Sequence, residues 1–425
     1  MSVELFERYD IRGKHPEEID EEFAVDIGAA YASFVRESDD SKVVVCRDTK
    51  ESSKGLKEAV IKGLLSSGID VLDAGIGPTD YCAFAGKERN CFSVQITSSH
   101  LPYDNNGFKF IYPAGNSLIN EDLARIKDLY KQGSDSRDSG ELRDVSERLK
   151  SDYIDEAVRF LSDNGLKPHS SVYIETMGGA GGELIEKVLD TSDIKNKISD
   201  GKFDPPNPEK HELRDLREAV DSGQYDLGVA MDMDADRAQI YFDGAWMNGD
   251  TVFAVLADVF DPETVVGSLD SSDAVRKAFD GKFVDTRVGD PFVLEKLIEE
   301  DAPLGGEPNC HYAFREFVPY HSGTMTALVI SALDLESILK RVKDISIKKV
   351  SVNVEDKELA LKKISGIIEE KFEVVSRQDG IKYITGDESV LIRSSGTSEK
   401  LRITSYGKDN TKAERALEEA VDLIE

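Results

Sequence analysis

Along this chain the spacing of hydrophobic and polar positions changes several times, and the changes divide it into parts. Short runs rich in Val and Ile, "KVVVC" (42–46), "IDVLDAGI" (69–76) and "CFSVQIT" (91–97), alternate with a helical stretch, "SSKGLKEAVIKGLLSSG" (52–68). Such alternation predicts α/β units with a largely parallel sheet. A second part follows with the helix "DYIDEAVRFL" (152–161), the strand "SVYIE" (171–175), the helix "ELIEKVLD" and the strand "YDLGVAM" (225–231). A third begins near "TVFAVLADVF" (251–260). The fourth starts near "KKVSVNVE" (348–355), with a helix over 358–372, several strands and a last helix. Ala413, Ala416, Leu417, Ala420, Val421 and Ile424 form one stripe on that helix, and Thr411 with Glu414 gives it a capping-box pattern.

The polar, Gly/Ser-rich "KQGSDSRDSGELRD" (131–144) reads as a boundary. At roughly 100–200 residues per domain, 425 residues hold more than one core. The expected parts are 1–140, 141–250, 251–345 and 346–425. No apolar run, "MTALVISAL" (325–333) included, approaches the roughly 18 residues that span a bilayer. The start "MSVELFERYDIRG" lacks the regions of a signal peptide, so a cytoplasmic location is expected. Cys46, Cys82, Cys91 and Cys310 are scattered without a CxxC pair, which predicts reduced, buried thiols.

Charge narrows the partners. With 83 acidic against 53 basic residues the formal charge is −30, a surface that repels nucleic acid and anionic membranes. A salty cytoplasm would favour this excess, although the many lysines speak against extreme salt. An anionic substrate would need local Arg and Lys to overcome the global field.

Four loops concentrate chemistry. In "MDMDADR" (231–237), Asp232, Asp234 and Asp236 alternate after an apolar strand and offer hard oxygen ligands for Mg²⁺ or Ca²⁺; a solvated acidic turn is the plainer reading. In "RSSGTSEKLR" (393–402), Arg393 and Arg402 can grip a small anion, though Ser-Gly-Thr turns are common. In "GGEPNCH" (305–311), Glu307, Asn309 and His311 suit sugar hydroxyls or a satisfied polar turn equally. In "TSSHLPYDNNGFK" (97–109), a Ser-His pair without a GxSxG elbow disfavours a serine hydrolase, while Lys109 could move a proton or neutralise phosphate charge. The glycine turn "TMGGAGG" (176–182) has neither GxGxxG nor a Walker lysine and reads as a tight structural turn.

Taken in chain order, 97–109, 231–237, 305–311 and 393–402, the four loops resemble the active-site, metal, sugar and phosphate loops of the α-D-phosphohexomutase superfamily. "YDIRG" (9–13), "CRDTKESS" (46–53), "PPNPE" (205–209) and "TRVG" (286–289) extend the resemblance over almost the whole chain. It implies three related α/β domains with mixed sheets and a smaller C-terminal α+β domain, arranged around a central cleft. It implies a hexose phosphomutase acting on mannose, glucose or glucosamine phosphates through a phosphoserine at Ser99 and a hexose 1,6-bisphosphate. A catalytically silent sugar-phosphate-binding protein is the alternative. Ser99 with Asp232, Asp234 and Asp236 would hold Mg²⁺. Ser99, Lys109, Arg12 and His100 fall at catalytic positions, and Tyr9, Arg237, Arg287, Glu307, Asn309 and His311 at substrate-binding ones. Arg393, Ser395, Gly396, Thr397 and Arg402 match the phosphate-binding positions. The expected partner is a small-molecule sugar phosphate bound by a monomer or homodimer. Several residues depart from the family pattern: Met233 and Cys310 for glycines, Leu101 for asparagine, Asn309 for serine, Ser322 near a usual aspartate, and Ser398-Glu399 for Glu-Pro.

Overall fold

Val43, Val44 and Val45 are all fully buried, so the strand Lys42–Arg47 is covered on both faces, as central strands of α/β sheets are. Its sheet has the order Ile11–Lys14, Asn105–Ile111, Phe92–Ile96, Lys42–Arg47, Asp70–Ile76, Leu142–Asp144. Lys42–Arg47 runs parallel to both neighbours, whereas Asn105–Ile111 and Ile11–Lys14 run antiparallel. The segment 97–104 before Asn105–Ile111 is too short for a helical crossover, so the chain turns back on itself.

The computed structural model describes residues 5–6, 9–133, 139–342, 346–395 and 399–424. They fall into an N-terminal unit, Met1–Met247 with Leu297–Glu299 and Cys310–Leu333, and a C-terminal unit, Asn248–Lys296 with Glu300–Asn309 and Asp334–Glu425. In the N-terminal unit the helices Glu21–Glu37 and Glu51–Ser66 approach closely because neither has a side chain at the crossing. A Cβ on Gly28 would lie 2.4 Å from the Val60 carbonyl oxygen, and one on Gly63 would lie 2.1 Å from that of Val25. The unit's second sheet has the order Ala245–Trp246, Ala238–Phe242, Leu227–Met231, Val172–Glu175, Asn196–Ser199. It is parallel around Val172–Glu175 and antiparallel at Ala238–Phe242. The apolar run at 325–333 belongs largely to a wholly buried helix, Gly323–Ser331. Among the described residues no helix is long and apolar enough to cross a membrane.

In the C-terminal unit, Lys282–Thr286, Thr264–Ser268 and Leu304–Glu307 pair in parallel. The last part is an antiparallel sheet ordered Ser346–Asn353, Lys400–Gly407, Glu388–Ser394, Ile381–Thr385, Glu373–Ser376. The helices Lys357–Lys371 and Asn410–Asp422 cover one face, burying Ile364, Ile368, Ile392, Ile403 and Ala416. On the other face Leu391 and Tyr406 meet Leu269, and the Lys382 ammonium donates to the carbonyls of Leu269 (2.9 Å) and Ser271 (3.0 Å). The final helix starts earlier than its capping-box pattern predicts. Asp409 is the N-cap and accepts from the Lys412 N–H at 2.9 Å. A carboxylate outranks threonine at that position, so Thr411 lies inside the helix.

Several of the loops that carry chemistry leave the C-terminal ends of parallel strands, while the 393–402 loop joins antiparallel strands. Ser99 follows Phe92–Ile96, Asp232 follows Leu227–Met231, and Arg287 follows Lys282–Thr286. In α/β sheets those ends are where ligands bind.

Candidate active site

Ser99 stands in the left-handed region, φ +50°, with its N–H on Thr97 Oγ1 at 2.9 Å. That conformation turns its hydroxyl toward the aspartate loop, where Oγ donates to Asp232 Oδ2 at 2.9 Å. The Nδ1 atom of His100 is 3.2 Å from the same Oγ. Burial, then the charges of Arg237 and Arg12, push the His100 imidazole down to about 3, so it is neutral at pH 7.

Asp232, Asp234 and Asp236 are buried, and each offers an oxygen within 4.8 Å of the others. The Lys109 ammonium sits 2.7 Å from both Asp234 Oδ2 and Asp236 Oδ2. Burial works against its charge, but the two carboxylates outweigh burial and hold its pKa well above the ordinary value. Burial would likewise raise Asp236; Lys109 and His311 outweigh it and hold that carboxyl well below its usual range. Asp232 goes the other way, pushed up to about 7 by burial and then by Asp236 and Asp234. Two of the three buried carboxylates share one lysine directly, and Asp234 Oδ1 has no hydrogen-bond partner. A buried, unpartnered carboxylate oxygen beside two more hard donors fits a divalent cation.

Around this centre, Arg237 Nε lies 3.8 Å from Asp232 Oδ2 and 3.0 Å from His311 Nε2. His311 Nε2 is also 3.2 Å from Asp236 Oδ1. One nitrogen cannot accept from Arg237 and donate to Asp236 in the same tautomer, so His311 reports which neighbour dominates. Its ring stacks on His321 with centroids 4.7 Å apart. Arg12 pairs with Asp10 at 2.6 Å on the strand beside the 105–111 strand, and Tyr9 precedes it, half-buried. The N-terminal unit therefore brings together Ser99, His100, Lys109, the three aspartates, Arg237 and His311.

Two supports were not read from the sequence. Thr79 donates its hydroxyl to Asp234 Oδ2 at 2.6 Å, and its N–H to the Asp234 carbonyl at 2.9 Å. Nearby, Asp80 Oδ2 accepts from Tyr153 at 2.6 Å and from the Ser322 hydroxyl. Thr79 and Asp80 open a helix, Thr79–Arg89, and nothing in their own spacing signals partners 155 and 242 residues away. Ser322 makes structural sense of one departure: an aspartate there would face buried Asp80 with a second carboxylate.

The C-terminal unit holds the remaining candidates. Glu307 is buried; Oε1 accepts from the Gly289 N–H at 3.0 Å, and Oε2 lies 3.5 Å from Asn309 Nδ2. The Arg287 guanidinium lies over the Phe292 ring at 4.5 Å. The adjacent Val288 N–H reaches Asp379 at 3.3 Å. Arg393 and Arg402 are directly opposite residues on antiparallel strands. Burial, then the Arg393 charge, lower the Arg402 pKa. Ser395 is buried, with its N–H on the Lys400 carbonyl at 2.9 Å and its own carbonyl accepting from Lys357 at 3.1 Å. Gly396, Thr397 and Ser398 lie outside the described residues.

The glycine turn is structural, as its sequence suggested. A Cβ on Gly179 would lie 2.5 Å from the Met233 carbonyl oxygen and 2.9 Å from that of Asp232. Ala180 N–H donates to the same Met233 carbonyl at 2.8 Å. Met233 itself is not among the residues with positive φ; its side chain is buried, with Sδ 3.1 Å from Thr49 Oγ1. Cys310 does have positive φ, +71°, the region that favours the glycine of the family pattern. All four cysteines are buried and none forms a disulfide.

Comparison with known proteins gives matches along the chain. Four family models match, described as phosphoglucomutase/phosphomannomutase alpha/beta/alpha domain I (residues 3–137), domain II (151–244), domain III (248–349) and C-terminal domain (350–423). A protein of Thermococcus kodakarensis named phosphoglucomutase/phosphomannomutase is 33% identical over 451 residues, covering 99% of this chain and 98% of its own. A solved phosphoglucomutase/phosphomannomutase family protein from Burkholderia thailandensis has a TM-score of 0.86 at 22% identity, covering 100% of this chain and 97% of that one. Aspergillus fumigatus N-acetylphosphoglucosamine mutase, solved in complex with GlcNAc-6P and magnesium, has a TM-score of 0.58 at 14% identity, covering 81% of this chain and 92% of that one.

Proposed function

The chain belongs to the phosphoglucomutase/phosphomannomutase family, and from that membership we infer that it interconverts hexose 1-phosphates and hexose 6-phosphates. The observation that carries the reading is Ser99 Oγ, 2.9 Å from a buried aspartate triplet that already binds Lys109. A hydroxyl beside three carboxylates and an ammonium suits phosphoryl transfer, which depends on position and charge more than on side-chain covalent chemistry.

In the working form Ser99 carries a phosphoryl group. Its P–Oγ bond breaks as a new P–O bond forms to the free hydroxyl of the sugar monophosphate, giving a bound 1,6-bisphosphate. The sugar turns end for end, and Ser99 Oγ takes back the other phosphoryl group. Asp232, Asp234 and Asp236, with a phosphate oxygen on Ser99, would hold Mg²⁺, which when bound offsets charge on the transferring group. Lys109 and Arg12 bring positive charge to the reacting oxygens and assist proton transfer, with His100 beside the nucleophile. Tyr9, Arg237, Arg287, Glu307, Asn309 and His311 contact the sugar. Arg393, Ser395, Gly396, Thr397 and Arg402 hold the phosphate that is not being transferred.

The matched family segments support domain boundaries near residues 140, 250 and 345. We place the enzyme in the cytoplasm, as a monomer or homodimer. The test is a Mg²⁺-dependent assay on glucose, mannose and glucosamine 1-phosphates, primed with the matching bisphosphate. A 6-phosphate product is expected from at least one. No product from any of the three overturns the reading, and the ranking of the three fixes the hexose.

A further inference from the structure

Lys50 is 1% exposed and has no part in the chemistry above. Its Nζ lies 3.1 Å from each of the carbonyl oxygens of Leu101, Pro102 and Asn105, and 2.5 Å from Ser98 Oγ. All four acceptors belong to the loop that carries Ser99. Part-buried carbonyls aimed at one point repel one another unless a cation sits among them. Lys50 is itself fixed from behind. Its N–H donates to Asp48 Oδ1 at 2.9 Å, and that oxygen also accepts from Ser53 Oγ at 2.5 Å. Asn106, just past the loop, donates to Ser52 Oγ at 2.7 Å and to Ser53 Oγ at 2.9 Å. The start of the helix Glu51–Ser66 is thereby stapled to both ends of the Ser99 loop.

That loop needs such a clasp. A residue with a Cβ held in the left-handed region costs roughly 1–2 kcal/mol, and Ser99 is there at φ +50°. Strained conformations persist only where the surroundings over-determine them. The sugar turns between the two transfers while the serine must not, so one hydroxyl position has to serve both.

We propose that Lys50 is a positioning residue for phosphoryl transfer: its ammonium clasps the 98–105 loop so that Ser99 keeps one place through both half-reactions. The proposal rests on the reading of Ser99 as phosphoryl carrier.

Lys50→Met keeps the stem and removes charge and donors. Rates are normalised to the fraction of Ser99 that glucose 1,6-bisphosphate phosphorylates, measured by intact mass, so that misfolded protein does not enter the ratio. The normalised kcat is expected to fall about 100-fold, the penalty of a misplacement of about 1 Å. KM for glucose 1-phosphate should stay within about threefold, since substrate groups are untouched. Lys50→Arg, which restores charge and donors, should recover at least about tenfold of the loss. A folded Lys50→Met with wild-type normalised kcat overturns the proposal. If that variant does not fold, Lys50→Gln is read in the same way. Wild-type protein that never forms phospho-Ser99 would sink the carrier reading instead; wild-type turnover with an equally fast variant sinks the clasp alone.

Discussion

The two groups of candidate residues differ in how much is settled before any substrate arrives. Around Ser99, polar groups are already committed: Oγ to Asp232, Thr79 and Lys109 to Asp234, and Lys109 and His311 to Asp236. Around Arg393 and Arg402 the reverse holds. Arg393 and Arg402 stand opposite each other on paired strands, where like charges destabilise; the Asp270 charge offsets part of this, and neither arginine is ion-paired among the described residues. The first region stores its order internally. The second keeps a repulsion that an anion would relieve.

This contrast can be broken by substitution. Ser99→Ala should lower kcat by roughly 10⁴-fold or more with the fold intact by circular dichroism. Asp234→Ala should lose the Mg²⁺-dependent part of the rate, by orders of magnitude. Wild-type turnover in either would remove the wired region from the chemistry. Met233→Gly restores the family glycine, yet it empties a buried side-chain site. It should cost about 3–4 kcal/mol in urea unfolding, and a neutral result would mean that the loop collapses to fill the space.

Asp80 sharpens the comparison through pH. Burial pushes its carboxyl from 3.8 to about 6, against the hydrogen bonds of Ser322 and Tyr153. A folded pKa above the unfolded one gives a stability term that is full below pH 4 and is lost as pH rises through 6. Relative to Asp80→Asn, the wild type should therefore gain up to about 3 kcal/mol between pH 7 and pH 4. A flat difference between the two unfolding curves would show that Asp80 does not titrate there.

On the anion side, Arg393→Ala should raise KM by roughly 10- to 150-fold, the worth of one charge-assisted contact at about 1.5–3 kcal/mol. Its melting temperature should not fall, because a repulsion is removed; a stability loss would say that the arginine pair supports the fold. The smallest effect is at Cys310. Glycine there should stabilise the protein by about 1 kcal/mol, by relieving the left-handed strain, measurable as a rise in melting temperature.

Much of this was legible along the chain. Val43 to Val45 and the 225–231 run announced strands because apolar residues packed on both faces leave a nearly unbroken apolar signature. The four loops stood out along the chain because each packs several polar and charged side chains into about ten consecutive residues. What stayed hidden was long-range. Thr79 reads as an ordinary helix start, Lys50 as the polar residue before a helix, and Ser322 as a lost aspartate. Each acquires its role from a partner on a distant strand or loop, and no local spacing encodes that partner. The capping error has a local cause: the Thr411 pattern was sound, but a better acceptor stood two residues upstream.

Gly179 carries a last consequence. The backbone beneath Asp232 and Met233 rests on a position with no room for even a methyl group. An alanine there would act as a shim, displacing the backbone of the aspartate loop while Asp232, Asp234 and Asp236 keep their identities. Position 179 therefore gives a protein engineer a way to shift the aspartate loop by geometry alone, without editing Ser99, Lys109 or the three aspartates.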